Sequence, residues 1–307
     1  MTEHRKKKEN SRKRMGNFLV NGATPYFIMV LPLFIIYIVL TIIPTVSTAF
    51  LSFTNFNGVD LWHLKMVGFR NYLTAFKDAV FGLSLKNTIL YAIVVPLVQN
   101  FLGMIFALAL NKNLKTKNIL RTLLFTPAII STIVISYAWT YIFDYNGIIN
   151  QILGAIGLER LQQVWLGNPK YALMCVAVSN IWRFIGYSAV IFIANLQSIS
   201  TDILEAADID GAAKGKRFRY IIFPLMAPST TINLTLSVIG CLKVFDTVFT
   251  MTQGGPGHAT EVVGTYIVSL QTQHLNGYAS CLAIILTFII LVLTAILFPI
   301  LKRREEN

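Results

Sequence analysis

The sequence predicts an all-α membrane protein with six transmembrane helices and both termini on the cytoplasmic side. Composition is the first observation behind this reading. Of 307 residues, 55% are hydrophobic and 13% charged, and the mean hydropathy is +0.62. Soluble domains carry about 25% charged residues, so this chain is too poor in charge to be one. Arrangement is the second observation: the apolar residues fall into six long runs, with Lys and Arg gathered at their ends. The formal charge of +12 therefore reads as a topology signal. No nucleic-acid partner is expected, because the basic residues form no patch interleaved with aromatics.

Segment 1–24 reads as a cytoplasmic basic tail. Residues 1–14 hold Arg5, Lys6, Lys7, Lys8, Arg12, Lys13 and Arg14, with no apolar residue after Met1. From 15 to 59 there is no charged residue, and 25–50 is long enough to span a bilayer core of about 30 Å. A signal peptide has an apolar core of only about 7–15 residues, so an uncleaved first span is expected. Five further runs follow at 87–111, 122–143, 171–201, 220–242 and 277–301, of which only the third contains a charge, Arg183. At about 1.5 Å per residue each can cross. Pro32, Pro44 and Pro96, inside these runs, predict kinks. Six crossings put both termini on one side. With that side cytoplasmic, 18 Lys and Arg lie inside. Outside lie seven, Lys65, Arg70, Lys77, Lys86, Arg160, Lys170 and Lys243, in keeping with the positive-inside rule. The outer segments 52–86, 144–170 and 246–276 are longer than connections require. Amphipathic stretches at 73–81 and 148–164 read either as interfacial helices or as partner-binding elements.

The chain is expected to be a non-enzyme with no catalytic residues, no metal and no cofactor of its own. His4, His63, His258 and His274 lie in the tail or outer loops with no His-x-x-x-His pair, and no span carries paired carboxylates. Cys175, Cys241 and Cys281 stand singly inside apolar runs and read as packing residues. The run from Gly211 to Lys216 resembles a phosphate loop but is one residue short and is followed by Arg217 instead of Ser or Thr. Any ATP that powers this protein must bind another chain. Arg183 near mid-membrane must face the bundle interior or a wet cavity. It reads equally as a substrate or gate contact and as a structural partner for a neighbouring helix. Trp182, Asn180 and Tyr187 flank it, and Trp and Tyr rings can stack on sugars or simply pack. Lys243 and Asp246 can snorkel outward at the end of the fifth run. Asn87, Asn100, Asn233 and Ser237 read as interhelical hydrogen-bond residues.

The loop 198–224 is the longest polar interruption in the second half of the chain. A short helix is expected there, capped by Asp202 with Glu205 completing a capping box, and with Ile203, Ala207 and Gly211 on one face. A folded loop between spans points to a docking element. Glu205-Ala206-Ala207, Asp210-Gly211-Ala212, Phe218, Ile221 and Pro224 resemble the "EAA" loop of the permeases of binding-protein-dependent ABC importers. Phe245-Asp246-Thr247 through Thr252-Gln253-Gly254-Gly255-Pro256, and Val67-Gly68-Phe69-Arg70-Asn71-Tyr72 with Asn87-Thr88, resemble the carbohydrate branch, in particular its maltose- and glycerol-phosphate-type first permease. The resemblance covers about 25–301. Ser200 departs from it, since the family commonly has Pro there.

This resemblance implies a type I ABC importer permease fold in the cell membrane. An ABC transmembrane type-1 domain at 81–301 would follow a first helix and outer segment at 25–80 and precede a short tail at 302–307. It implies a sugar-importer subunit that forms half of the pore. The expected partners are a second permease, two ABC ATPases that hold ATP and Mg, an extracytoplasmic solute-binding protein, the sugar and the bilayer. It implies that Glu205, Ala206, Ala207, Asp210, Gly211, Ala212, Phe218 and Pro224 couple to the ATPase through residues 202–219. It further implies that the fourth and fifth spans line the sugar path, with Trp182, Arg183, Tyr187 and Lys243 as substrate candidates. The alternative is a stand-alone secondary transporter, which would need inverted repeats or intramembrane acidic residues; neither is visible.

Overall fold

The structure, a computed structural model, describes residues 24–60, 62, 64–112 and 115–306. The basic stretch 1–14, His4 and His63 lie outside the described residues. Among those described, the regular elements are helical, and one antiparallel bridge pairs Thr54 with Met66. We label the helices α1 (Thr24–Tyr37, a π-helical turn Ile38–Ile42, then Ile43–Leu51), α2 (Arg70–Ala75), α3 (Ala79–Leu110), α4 (Lys117–Ile129), α5 (Thr132–Ile142), α6 (Ile148–Ala155) and α7 (Ala172–Ser198). Then come α8 (Thr201–Ile209), α9 (Lys214–Arg217, a π-helical turn Phe218–Ile222, then Phe223–Leu225), α10 (Ala227–Leu242), α11 (Asp246–Thr252), α12 (Val263–Thr272) and α13 (Asn276–Glu306).

Among the described residues, four stretches are single helices long and apolar enough to cross a membrane: Met29–Leu51, Ala79–Leu110, Ala172–Ser198 and Asn276–Arg303. The two other runs, each expected to cross, are broken. α4 and α5 meet at 100°, and Gly215–Leu225 meets α10 at 63°. At the first break Ile130 and Ser131 are both extended, with ψ of 145° and 136°, and Pro127 lies in the turn before. Proline acts elsewhere too. Each π-helical turn ends two residues ahead of a proline, Pro44 or Pro224, and is closed by an i→i+5 bond, Ile43 N to Ile38 O or Phe223 N to Phe218 O. A proline cannot donate to the preceding turn and its ring crowds it, so the helix widens there. The expected kink at Pro44 thus takes the form of a π turn, whereas Pro96 sits within an unbroken α3.

α3 and α7 pack along most of their length; α10 lies across both, and α13 packs on α10 and α12. The core has three parts. One holds Phe81, Tyr266, Leu270 and Leu282; the middle one holds Val95, Val176, Leu242 and Val248; the third holds Ala107, Phe192, Leu196 and Met226. Gly186 lets α7 meet the backbone of α4, since a Cβ there would collide with the Leu124 carbonyl. The most apolar stretch of α1 has no buried residue, and α1 packs through its last turns on α13.

At one end of the bundle, side chains build a collar. Asn71 Nδ2 donates to the carbonyls of Ser52 and Thr54 at 2.8 and 2.9 Å, satisfying groups that the end of α1 leaves free. Tyr72 Oη meets Ser52 Oγ at 2.8 Å. Asn276 Nδ2 donates to Asn57 O at 3.0 Å, and Gly277 N to Phe56 O at 2.8 Å, tying the same segment to α13. Asp78 caps α3 by accepting from Val80 N and Phe81 N, and its other oxygen accepts from Tyr266 Oη at 2.6 Å and Tyr278 Oη at 2.8 Å. Burial alone would raise the Asp78 carboxyl; the two phenols and two amides outweigh it and hold the group below the usual carboxylate range. Asn87 Nδ2 donates to Ala259 O and Glu261 O, and Thr88 Oγ1 accepts from Val263 N, which fixes the segment before α12.

Candidate functional site: a polar cleft and a terminal loop

At the end opposite the collar, α7 runs out at Ser198 and the chain turns into α8. The cap is Ser200, whose Oγ accepts from Asp202 N at 3.2 Å; it is not Asp202, and no capping box with Glu205 forms. Ser200 can cap because its backbone is extended, with ψ 135°. The expected single helix across 202–219 is in fact two. α8 stops at Ile209, Gly211 takes φ +69°, and α9 starts at Lys214. Ala212 N bonds Ala207 O at 3.0 Å and Gly211 N bonds Asp208 O at 3.2 Å, the paired bonds of a Schellman turn. Gly211 is needed for its backbone angle, since a Cβ there would meet nothing within 4 Å. Arg217 reaches back to Asp208 at 2.5 and 2.8 Å. Ala207 faces the protein, 5% exposed, while Ile203 and Ile209 stand 43% and 86% exposed; Glu205, Ala206, Asp210 and Gly211 are exposed as well. Ala212 is half-buried, and Phe218 rests its ring 6.0 Å from Phe223, next to Pro224.

Near the middle of α3, α7 and α10 lies a cleft of about 250 Å³, lined by Gln99, Asn180, Phe184, Tyr187, Asn233, Leu236, Ser237, Gly240 and Cys241. Asn180, Phe184 and Tyr187 follow one face of α7; Asn233, Leu236, Ser237 and Gly240 follow one face of α10. Ser188 joins the walls. Its Oγ accepts from Gln99 Nε2 at 2.8 Å and its carbonyl from Asn233 Nδ2 at 3.2 Å. Asn100 Nδ2 donates to Ser237 Oγ at 2.9 Å, which in turn donates to Asn233 O at 2.6 Å. The interhelical amides thus double as cleft lining.

Of the four substrate candidates, the structure brings only Tyr187 into this cleft. Arg183 donates through Nη1 to Thr132 Oγ1 at 2.5 Å and through Nη2 to Ile130 O at 3.0 Å, and its guanidinium lies over the Phe184 ring. It sits on the α4–α5 break and satisfies a carbonyl that the break frees. Trp182 packs edge-on against Trp139 at 5.6 Å. Lys243, exposed, closes the end of α10. Gln99, Phe184, Leu236 and Gly240 were not singled out from the sequence. The spacing of polar and aromatic residues along α7 and α10 was the available signal. Glu261, 3% exposed, takes hydrogen bonds from Thr265 Oγ1 and pairs with His258 Nδ1 at 2.9 Å, bracing the segment 253–262. Among the described residues no cluster of three or more His, Cys, Asp or Glu is placed to hold a metal, and the three cysteines are free and buried.

Residues 99–304 match the family described as "Binding-protein-dependent transport system inner membrane component". The chain is 32% identical over 291 residues to the probable ABC transporter permease YurN of Bacillus subtilis, covering 94% of this chain and 99% of that one. It is 32% identical over 274 residues to the trehalose/maltose transport system permease MalF of Thermococcus litoralis, covering 89% and 91%. In three dimensions it is similar to a chain of a bacterial ABC transporter involved in importing the acidic polysaccharide alginate, with a TM-score of 0.81 at 22% identity over 94% of this chain and 99% of that one.

Proposed function

Since the chain belongs to the family of binding-protein-dependent transport system inner membrane components, a multi-pass membrane family, we propose that it is the permease subunit of an ABC sugar importer in the cell membrane. In this reading it forms half of the translocation pore. The single observation that carries the sugar path is the cleft, where amides, a hydroxyl and two aromatic rings converge at mid-helix. Sugars are bound by this chemistry: hydroxyls exchange hydrogen bonds with amides while ring faces stack on aromatics. Relatives named for trehalose and maltose, for starch degradation products and for lactose support the substrate class.

The finer reading has six crossings, each bent pair counting as one, and cytoplasmic termini. The domain limits are those of the sequence: 25–80 as first helix and outer segment, 81–301 as the transport domain and 302–307 as a tail. The loop end is then cytoplasmic, and α8 with the turn at Gly211 docks on an ATPase. Ile203 and Ile209 offer apolar contact, Glu205 and Asp210 polar contact, and Ala206 and Ala212 close approach. Phe218 and Pro224 join the loop to the span. ATP and Mg belong to that partner; a second permease supplies the other half of the pore and a solute-binding protein delivers sugar to the collar end. Trp182, Arg183 and Lys243 act around the path, with Tyr187 in contact.

Co-purification tests the reading. A stable complex with an ATPase is expected, and Glu205→Lys or Gly211→Asp abolishes it together with uptake. Uptake that persists in both variants and without any ATPase overturns the proposal in favour of a stand-alone transporter.

A further inference from the structure

We infer that the cleft between α3, α7 and α10 selects uncharged saccharides and rejects anionic ones. This inference rests on the sugar-path reading above and adds the charge class of the substrate. The amide nitrogens of Gln99 and Asn233 each give one N–H to Ser188. Their side-chain oxygens, Gln99 Oε1 and Asn233 Oδ1, take no hydrogen bond among the described residues. Ser237 is spent as well, accepting from Asn100 and donating to the Asn233 carbonyl. The lining therefore offers neutral amide and hydroxyl dipoles, donors as well as acceptors, and no formal charge.

Sugar hydroxyls donate to such a surface. A carboxylate, phosphate or sulfonate brings a full charge that neutral dipoles offset only in part. No Lys, Arg or His among the described residues lines the cleft to offset the charge. Arg183, the cation nearest along α7, is itself outside the lining, over the Phe184 ring and held at the α4–α5 break by Thr132 and Ile130. An anion entering here would lose water and gain no opposite charge, whereas sugar hydroxyls exchange one neutral hydrogen bond for another. The volume of about 250 Å³ lies below the roughly 300–1,000 Å³ of closed ligand pockets. That suits a half-site holding one sugar ring, with an opposing permease completing the enclosure.

Saturation-transfer NMR on the purified permease–ATPase complex in lipid nanodiscs, without the solute-binding protein, tests this. The probe is a defined mixture of neutral gluco- and galacto-oligosaccharides with oligogalacturonates of matched length. Saturation should pass to the neutral saccharides, with the uronates weaker by about tenfold or more. Gly240→Leu should abolish the transfer: a Cβ at 240 meets nothing within 4 Å, so the helix tolerates it while the side chain fills the cleft. Leu236→Arg, adding a cation to the same wall, should bring uronate signals up. Thermal unfolding of each variant verifies its folding. Uronate transfer equal to or stronger than neutral transfer in the unaltered complex overturns the charge selectivity but leaves the sugar path standing. Absence of any saccharide signal that Gly240→Leu removes overturns the sugar path and this inference with it.

Discussion

At the collar end, side chains do the tying. Asp78 holds two tyrosines and a helix start, Asn71 holds the end of α1, and Asn87 holds the segment before α12. At the loop end, α8 has a Ser200 cap, one buried residue, Ala207, a backbone turn and an ion pair whose Asp208 partner is 59% exposed. The first end is braced from within; the second carries fewer internal ties, as the proposed docking on an ATPase requires. In the proposed importer, a plate that receives substrate should be rigid, and a lever that seats in another protein should have few contacts of its own. Stability and coupling should therefore respond to mutation at opposite ends.

Asp78→Ala should separate them most. It removes a helix cap and strands two phenols, at a cost of about 3–5 kcal/mol; thermal unfolding in detergent should fall sharply, and an unchanged midpoint would refute the brace. The same group predicts an acid limit. Its folded pKa lies below the ordinary value of 3.8, so its contribution is fully present above that value. It is lost as pH falls through the lower folded value. In Asp78→Asn the drop in midpoint between pH 5 and pH 3 should shrink.

Arg183→Ala sits between the two ends and leaves the Ile130 carbonyl without its donor, worth about 1–3 kcal/mol. Arg183→Lys should rescue it only in part, because an ammonium cannot reproduce the two-pronged contact. Normal unfolding of Arg183→Ala alongside lost transport would instead make it a substrate contact. Gly211→Ala should cost about 1–2 kcal/mol at the turn alone, from the left-handed backbone it needs. The unfolding midpoint should hold while sugar-stimulated ATP hydrolysis falls; if both fall together, the loop is less independent than drawn. Asp208→Ala is the smallest change, under about 1 kcal/mol for an exposed pair, visible in ATPase affinity at low salt and screened at high salt.

Charge-poor runs and basic run ends made the helical membrane class legible, because burial in lipid leaves compositional traces. The break between α4 and α5 left none. Ile130 and Ser131 carry no breaking signal, and the arginine that stabilises the break is 53 residues away. Sequence could pose its two roles for Arg183 but not supply the carbonyl. The loop was legible as a folded element, while its cap and its division at Gly211 depend on backbone angles. Asn233 and Ser237 were legible as interhelical partners. Their second role as lining appears only once α3 brings Gln99 alongside.

Ser188 binds two helices with its two oxygens, so α7 cannot shift against α3 without losing the Gln99 bond and the packing of Gly103 on the Ser188 Cβ, nor against α10 without losing the Asn233 bond, each bond worth about 0.6 kcal/mol. The three walls should consequently travel as one rigid body. In the proposed importer the gate should then lie between this chain and its partner permease, with the cleft lining keeping a constant geometry.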